Sequence, residues 1–150
     1  MDTKEILNRK ARHDFAVLET YEAGIVLTGT EVKSIRLGKA SLIGAFAKVD
    51  KNEVWLIGAH IDEYLQGNRY NHDPKRFRKL LLKRTEIERL KTMSAVKGRA
   101  LIPLKIYFND RGFAKVLLGV AEGKTHSDRR EDIKKRDTER EMRQAMKRKR

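Results

Sequence analysis

The stretch ALIPLKIYF (residues 100–108), followed by NDRG (109–112) and FAKVLLGV (113–120), decides the fold class of this chain. In the first segment, every even-numbered residue is apolar, and these residues alternate with Leu101, Pro103, Lys105 and Tyr107. A period of two residues is typical of a β-strand with one dry face. Pro103 has no backbone N–H and therefore indicates a sheet edge or a bulge. Because the polar residues and the glycine between the two apolar segments favour a turn, the stretch predicts a β-hairpin.

Upstream of this hairpin, two more regions have the composition of β-strands. Residues 42–49 and 54–57 flank the polar residues 50–53 and predict a second hairpin. Residues 15–21, together with residues 25–27, form a third β candidate. Most of the chain is therefore predicted to be rich in β-structure.

Two segments carry the signals of helices. Thr85 is followed three residues later by Glu88, which is a capping-box pattern, and the apolar residues after it predict an amphipathic helix that ends at Gly98. Residues 30–37 predict a shorter helix between two glycines. Short strands with a helix before the last hairpin predict a mainly β fold, a small closed antiparallel β-barrel of the oligonucleotide-binding type with two or three short helices. A split sheet covered by helices is the alternative.

The charge of the chain is strongly positive and unevenly distributed. The chain has 150 residues and a net charge of +14, from 35 Lys and Arg against 21 Asp and Glu, so nucleic acid or anionic lipid is the expected partner. Residues 123–150 hold 12 Lys and Arg against 6 Asp and Glu, with too few apolar side chains to build a core. We therefore expect an RNA-binding β-barrel domain over residues 1–122 and a basic C-terminal tail over residues 123–150, disordered when free and helical when bound.

Several chemistries are excluded or have no local signature. The chain has no Cys, which excludes disulfides, thiol catalysis and Cys-ligated zinc. Two glycines precede Lys124 and Thr125, but their spacing is one residue shorter than a P-loop requires. The four His are scattered without metal-ligand spacing, and no nucleophile forms a pattern with a base. We therefore expect no enzyme activity, no metal and no cofactor.

Membrane association is also disfavoured. No apolar run approaches the roughly 20 residues of a membrane span, and the basic tail lacks the wide apolar face of an interfacial helix. Basic residues interrupt the N-terminal region before any apolar run, so no signal peptide is predicted. The sequence therefore predicts a soluble protein of the cytoplasm.

Basic residues and aromatic rings are interleaved in two places. A basic cluster over residues 9–12 precedes the first strand, and the run KRFRK over residues 75–79 follows a proline turn. Phe77, Tyr70 and Tyr107 supply aromatic faces. Guanidinium groups pair with phosphates and rings stack on unpaired bases, so both segments are candidate RNA-binding sites. The alternative is a solvated surface above core aromatics.

Six short motifs occur at the intervals that one protein family shows, in the same order and over essentially the whole chain. They are NRKARH (8–13), EAG (22–24), GTEVKS (29–34), GKA (38–40), DP followed by RKLLL (73–82), and GVA-x-GK (119–124). The segments DRR and DIK (128–134) extend the match into the tail. The sequence resembles the SmpB family of small proteins that bind transfer-messenger RNA (tmRNA).

This resemblance implies an oligonucleotide-binding-like β-barrel with three short helices, and a bacterial, non-enzymatic adaptor for trans-translation. Such an adaptor binds the tRNA-like domain of tmRNA and assists its charging by alanyl-tRNA synthetase and its delivery by elongation factor Tu. It brings tmRNA to the A site of a stalled ribosome, where the tail meets small-subunit rRNA at the decoding centre and becomes helical in the empty mRNA channel. A generic RNA-binding or ribosomal protein with a basic extension is the alternative.

The resemblance also carries site residues over by position. The tmRNA-binding face is matched by Asn8, Arg9, Arg12, His13, Glu22, Leu81, Lys115 and Lys124. The ribosome-binding tail is matched by His126, Asp128, Arg129, Arg130, Ile133, Lys134, Arg136 and Met146. Phosphate repels Glu22, so we expect its carboxylate to accept hydrogen bonds from base amino groups or ribose hydroxyls. The family usually has His or Tyr immediately before the tail Asp, whereas this chain has Ser127 there and His126 one residue earlier.

Overall fold

The structure, a computed structural model, describes residues 5–123 of the chain. Its helices over these residues are α1 (Arg9–Asp14), α2 (Gly29–Arg36), α3 (Arg84–Ser94) and a 3₁₀ helix (Leu65–Tyr70). Its strands are β1 (Ile6–Leu7), β2 (Phe15–Ile25), β3 (Ala40–Ser41), β4 (Phe46–Asp50), β5 (Glu53–Ile57), β6 (His60–Ile61), β7 (Arg78–Leu81), β8 (Arg99–Phe108) and β9 (Ala114–Gly123). The predicted mainly β class is confirmed.

Seven strands form one antiparallel sheet whose pairings run in a ring. The order is β1-β8-β4-β5-β7-β2-β9, and β8 also pairs with β9, so the pairings of six strands return to β8, while β1 pairs with β8 alone. The junction between β4 and β8 is short, since their register consists of the single pair Ala47 and Leu101. Strands β3 and β6 pair separately as a two-stranded sheet. A ring-like sheet therefore surrounds the core.

The main core lies on one side of this sheet, which we call the inner side. Every ring strand contributes to it, and α2 and α3 add Ile35 and Leu90, both fully buried. A second, smaller cluster lies on the opposite, outer side, where Ala11 of α1 packs with Ile102, Leu104 and Ala121. Helix α1 thus covers part of the outer side of β8 and β9.

The β8–β9 hairpin is confirmed, and it corrects the expected pattern of burial. The register shifts between Pro103 and Lys105, which confirms a bulge next to the proline. The prediction of one dry face is wrong over residues 101–104, all of which are buried. Leu101 belongs to the main core, whereas Ile102 and Leu104 face the cluster beneath α1, so both sides of this strand are covered.

The N-terminal β region is one strand rather than the two pieces predicted. Strand β2 pairs with β9 from Phe15, opposite Gly123, to Gly24, opposite Lys115. Its register shifts between Val17 and Glu19, so the bulge rather than a break absorbs the curvature. The ladder of backbone hydrogen bonds carries the strand through Gly24, which pairs with Lys115 on one side and Leu81 on the other.

The second predicted hairpin is also confirmed, as β4 and β5. Lys51 and Asn52 form its two-residue turn with φ values of 48° and 63°. Two successive positive φ angles match the twist of the flanking strands. The first strand is shorter than predicted and begins at Phe46, because Gly44, with a φ of 76°, lies in a turn before it.

The predicted helices are present with different ends. Helix α2 begins after Thr28, whose side chain caps it together with Glu31. The Thr85 capping box is wrong: α3 starts earlier, and the Glu86 carboxylate accepts a hydrogen bond from the backbone N–H of Lys83 at 3.0 Å. This helix stops at Ser94 rather than Gly98, since a tight turn then leads directly into β8. None of the helices between residues 5 and 123 combines the length and apolarity that a membrane crossing requires.

Candidate nucleic-acid interface

Helix α1 presents three of the predicted RNA-binding side chains to solvent. Arg9, Arg12 and His13 are all exposed, and the last two lie in its final turn. Their position depends on Asn8, the N-cap, whose side-chain oxygen accepts a hydrogen bond from the backbone N–H of Ala11 at 3.2 Å. The helix is thereby fixed at its first turn, and its basic side chains are directed outward.

Asn8 itself differs from the other predicted contact residues because its side chain is only 3% exposed. Its amide nitrogen donates hydrogen bonds to the backbone oxygens of Leu42, at 3.2 Å, and Pro103, at 2.8 Å. Together with the cap, these bonds use all of its strong donors and an acceptor inside the protein. The structure therefore gives Asn8 the role of holding α1 against the 42–46 turn and β8.

Four strands bring two other predicted residues into a single row on the outer side. Leu81 on β7 pairs with Gly24 on β2, Gly24 pairs with Lys115 on β9, and Lys115 pairs with Tyr107 on β8. Directly paired residues of an antiparallel sheet lie on the same side. Their chain neighbours on each strand are buried in the main core, so this row faces outward. Leu81 is 51% exposed, and its side chain lies over Gly24, where an added Cβ would be 3.3 Å from the Leu81 Cβ.

Glu22 lies on the same side, two residues before Gly24. The hydroxyl of Tyr107 donates a hydrogen bond to its carboxylate across the intervening strand β9. Burial, together with this hydrogen bond and the charge of Glu22, raises the pKa of Tyr107 to about 12. The phenol therefore keeps its proton at neutral pH and orients the carboxylate of Glu22.

We call this set the outer-face patch; its members are Glu22, Gly24, Leu81, Lys105, Tyr107 and Lys115. Lys105 belongs to it because it pairs with Leu117 in the row of Glu22. Its ammonium lies 4.9 Å from the centre of the Tyr107 ring and 3.6 Å from a carboxylate oxygen of Glu5. The patch thus combines an oriented acid, two cations and an exposed apolar side chain.

The outer-face patch and α1 lie on the same side of the sheet. Leu117, which pairs with Glu22, also packs against the cluster beneath α1. The strand side that carries Glu22 and Lys115 therefore continues directly under the helix that carries Arg9 and Arg12. A ligand that spans both regions meets cations at each end, which suits the phosphates of a folded RNA.

The basic run over residues 75–79 is only partly available to a ligand, which corrects its interpretation as a continuous RNA-binding segment. Arg78 is fully buried, and both Arg78 and Arg76 donate to the carboxylate of Glu31, which is fully buried as well. Arg78 also donates to the backbone oxygens of Ala59 and Pro74, each at 3.0 Å. Two of the four cations therefore serve the fold and not a ligand.

Glu31 is held in its ionised form by this cluster. Burial alone raises the pKa of Glu31, but hydrogen bonds from Arg76, from the backbone N–H of Thr28 and from Arg78 outweigh it and lower the pKa overall. The same carboxylate closes the capping box of α2, with the Thr28 N–H at 2.8 Å. One acid therefore joins α2 to the start of β7.

Two features of this surface have no signal in the linear sequence. Tyr107 and Glu22 are 85 residues apart, so their hydrogen bond depends on the register of three strands. Gly119 supports the outer side in another way: a Cβ there would lie 3.1 Å from Leu104 and 3.3 Å from Val17. Glycine at this position lets β9 pass close beneath the cluster that carries α1, and the strand pattern alone did not indicate it.

The His residues have structural or surface positions in the described part of the chain. His72 is buried between Thr30, with Nδ1 2.8 Å from its hydroxyl, and the backbone oxygen of Ile61, to which Nε2 donates at 2.9 Å. His60 lies 3.0 Å from Asp62 at the surface. Over residues 5–123, no group of three or more His, Cys, Asp or Glu is placed to hold a metal ion.

The remaining predicted site residues lie outside the described part of the chain. These are Lys124, His126, Asp128, Arg129, Arg130, Ile133, Lys134, Arg136 and Met146. The last described residue, Gly123, pairs with Phe15. The described part of the chain therefore ends beside the start of β2, just after α1.

Comparison with protein families explains why the sequence motifs and this surface occur together. The family model described as SmpB protein matches residues 5–148. This chain belongs to the SmpB family. Among curated SmpB relatives, the SsrA-binding protein of Salinispora arenicola is 57% identical over 138 residues, which are 92% of this chain and 86% of that protein. The SsrA-binding protein of a Geobacillus strain is 58% identical over 138 residues, 92% of this chain and 88% of that protein.

A solved SmpB structure has the same fold. It is described as "tmRNA-SmpB: a journey to the center of the bacterial ribosome", and its sequence is 53% identical to this chain. The match has a TM-score of 0.70 and covers 81% of this chain and 85% of the other. The family resemblance inferred from the six motifs is thereby confirmed.

Proposed function

We propose that this protein binds tmRNA and serves trans-translation, the rescue of stalled bacterial ribosomes. The membership of the chain in the SmpB family supports this function, since its curated relatives are SsrA-binding proteins. The matched solved structure is a tmRNA–SmpB complex of the bacterial ribosome. RNA binding and ribosome rescue are therefore the activities that the chain performs.

The observation that carries the proposal is the outer-face patch beside α1. A plain cationic surface binds any polyanion, whereas this one places an oriented carboxylate, that of Glu22, among cations. This carboxylate repels phosphate but accepts hydrogen bonds from ribose hydroxyls and base amino groups. It therefore favours a folded RNA whose bases or riboses reach it. Lys115 and Leu81 flank it on the same row and supply a phosphate contact and an apolar contact.

Within this function we assign roles to the predicted tmRNA-binding residues. Arg9, Arg12 and His13 contact the RNA from α1, while Asn8 acts through its cap on that helix. Glu22, Leu81 and Lys115 contact the tRNA-like domain from the outer-face patch. We assign Lys124, the first residue after the described part of the chain, to the same RNA-binding set.

We further propose that the ring-like sheet functions as a closed barrel of the oligonucleotide-binding type, over residues 1–122. The return of the pairings to β8 supports this, although β4 and β8 share one residue pair. Residues 123–150 then act as a separate basic tail. Its predicted contacts in the decoding centre and mRNA channel are made by His126, Asp128, Arg129, Arg130, Ile133, Lys134, Arg136 and Met146.

The adaptor acts without catalysis and in the cytoplasm, where ribosomes are found. Its further partners are indirect: alanyl-tRNA synthetase charges the tmRNA that it holds, and elongation factor Tu delivers the complex. Small-subunit rRNA is the surface that the tail contacts. These partners follow from the proposed function, and the strongly positive charge of the chain supports the RNA contacts among them.

Sequencing the RNA that copurifies with the protein at moderate salt tests the function directly. We expect tmRNA to be strongly enriched over total RNA, and Leu81→Ala to lose that enrichment. Leu65→Ala, which removes a more exposed leucine from the 3₁₀ helix, is the matched control and should keep it. A copurified pool that mirrors cellular RNA, with a steep salt dependence, would instead identify a generic RNA-binding protein.

A further inference from the structure

The basic run over residues 75–79 divides its side chains between the core and the solvent. Arg76 and Arg78 turn toward the buried carboxylate of Glu31. Lys75 and Phe77 are exposed, and the Phe77 ring is exposed to 59%. The ring of Phe77 is therefore displayed in the middle of a well-anchored segment, where a ligand can contact it.

The anchors on both sides hold Phe77 in place without packing its ring. Before it, Arg76 donates to Glu31, with its Nε 3.1 Å from Oε2, and to the backbone oxygen of Val26, also at 3.1 Å. After it, Arg78 is fixed in the core and begins β7. The backbone of Phe77 is therefore immobilised by its neighbours, and a ligand that covers the ring does not have to order the segment first.

Phe77 lies in line with the outer-face patch. On β7, Arg78 and Leu80 are buried in the core, whereas Leu81 is exposed on the outer side. Phe77 precedes Leu81 by four residues, which at the rise of an extended strand is about 13 Å. A ligand seated on Leu81 and Glu22 thus reaches Phe77 along the same strand.

The charges around Phe77 indicate what that ligand is. Lys75 is exposed and precedes Phe77 by two residues in the chain. Lys79, which follows Phe77 by two residues, lies 3.4 Å from Glu53 in a half-exposed pair, which is weak enough in water to exchange for a phosphate. An aromatic face flanked by two cations suits an unpaired base between two phosphates of RNA better than it suits an apolar protein surface.

We propose that Phe77 is a stacking platform for one unpaired base of the bound RNA, with Lys75 and Lys79 contacting the flanking phosphates. This inference rests on the proposed function, because it extends the tmRNA-binding face from the outer-face patch to the turn before β7. Arg76 and Arg78 act as positioning residues that keep the platform rigid through Glu31.

The test compares Phe77→Leu and Phe77→Trp with the parent protein in binding the isolated tRNA-like domain of tmRNA. Leu keeps an apolar side chain but removes the π-face, so we expect affinity to fall by about fivefold to a hundredfold, as for other lost base stacks. Trp keeps the platform and should bind at least as well as the parent. The slope of affinity against salt should stay unchanged in both variants, because no charge is altered.

Leu65→Ala is the control, since Leu65 is an exposed apolar residue of the 3₁₀ helix, outside the sheet that carries the outer-face patch and outside α1. It should leave affinity unchanged. Parental affinity in Phe77→Leu, or equal losses in the Leu and Trp variants with unchanged melting temperatures, overturns the stacking role. If the parent protein shows no preference for the tRNA-like domain over duplex RNA, the proposed function has failed. If the parent shows that preference and Phe77→Leu binds the domain with parental affinity, the stacking role alone has failed.

Discussion

The hydroxyl of Tyr107 donates a hydrogen bond to the carboxylate of Glu22, although strand β9 lies between the two residues. The two side chains meet diagonally above Lys115 and Leu117, their respective partners on that strand. The phenol occupies one acceptor position of the carboxylate and leaves others for a ligand. This pair therefore sets the direction in which Glu22 accepts hydrogen bonds.

Tyr107→Phe is expected to weaken tmRNA binding without altering the fold. The substitution removes only the hydroxyl that orients Glu22, and a net hydrogen bond contributes about 1 kcal/mol, so affinity should fall by about fivefold. Titration calorimetry with the tRNA-like domain at fixed salt measures this affinity. Unchanged affinity would mean that Glu22 needs no orientation.

Glu22→Gln is expected to weaken tmRNA binding even though it removes a negative charge from an RNA-binding surface. An amide has one acceptor oxygen, and that oxygen is already engaged by Tyr107, whereas the carboxylate has a second one for the RNA. Charge alone predicts the opposite effect. Tighter binding, with the melting temperature unchanged, would show that Glu22 is an ordinary surface acid. A double-mutant cycle with Tyr107→Phe measures how strongly the two side chains act together.

Glu31→Gln is expected to lower the free energy of unfolding by about 3–5 kcal/mol at neutral pH, because it leaves the charge of the buried Arg78 without a counter-ion. Glu53→Gln removes the acid of a half-exposed pair with Lys79 and should cost less than about 1 kcal/mol. Urea unfolding of both variants makes the comparison. Equal, small losses of unfolding free energy in the two variants would show that the fold tolerates these arginines without Glu31.

The carboxylate of Glu31 also makes the free energy of unfolding depend on pH in the acidic range. The pKa of Glu31 is lower in the folded protein than its ordinary value of 4.5, so its contribution is fully present above pH 4.5 and is lost as pH falls through the folded value. The difference in unfolding free energy between the parent and Glu31→Gln should therefore shrink below pH 4.5. A difference that stays constant down to pH 2 would contradict this linkage.

Removal of Arg129 to Arg150 is expected to leave the barrel folded and tmRNA binding nearly intact but to abolish tagging on stalled ribosomes. The β-core is complete at Gly123 in the described structure, while the removed segment carries much of the positive charge. Melting curves, RNA affinity and peptidyl transfer are compared with those of the full chain. Loss of cooperative unfolding would place the tail within the fold.

His126→Ala is expected to impair tagging while leaving tmRNA affinity unchanged. If the decoding centre requires a stacked ring before Asp128, His126 has to supply it, since Ser127 has no π-face. One stack corresponds to roughly 1–3 kcal/mol, or about a fivefold to hundredfold defect in accommodation. Arg129→Lys, which removes the guanidinium plane of Arg129, tests the alternative. Parental activity in His126→Ala together with failure of Arg129→Lys would assign the stacking role to Arg129.

Local patterns in the sequence were sufficient for the main β elements and the family. The hairpin of β8 and β9 follows from alternation and turn chemistry within 21 residues, and the turn at Lys51 and Asn52 from the polar residues between two apolar runs. The bulge at Pro103 follows from its missing N–H. These features depend on covalent chemistry and on contacts between near neighbours, which a sequence states directly.

The fate of individual charged and polar residues was decided by tertiary structure. The run KRFRK has uniform basic character in the sequence, yet Arg78 is buried on Glu31, 47 residues away, while Phe77 is displayed. Asn8 has the character of an RNA contact but is enclosed by backbone oxygens of residues 34 and 95 positions away. Burial depends on which strands pair and in what register, and that choice is made by the whole core at once. Composition therefore indicated a polyanionic partner, whereas only the folded sheet determined which of the charged and polar side chains remain exposed to meet it.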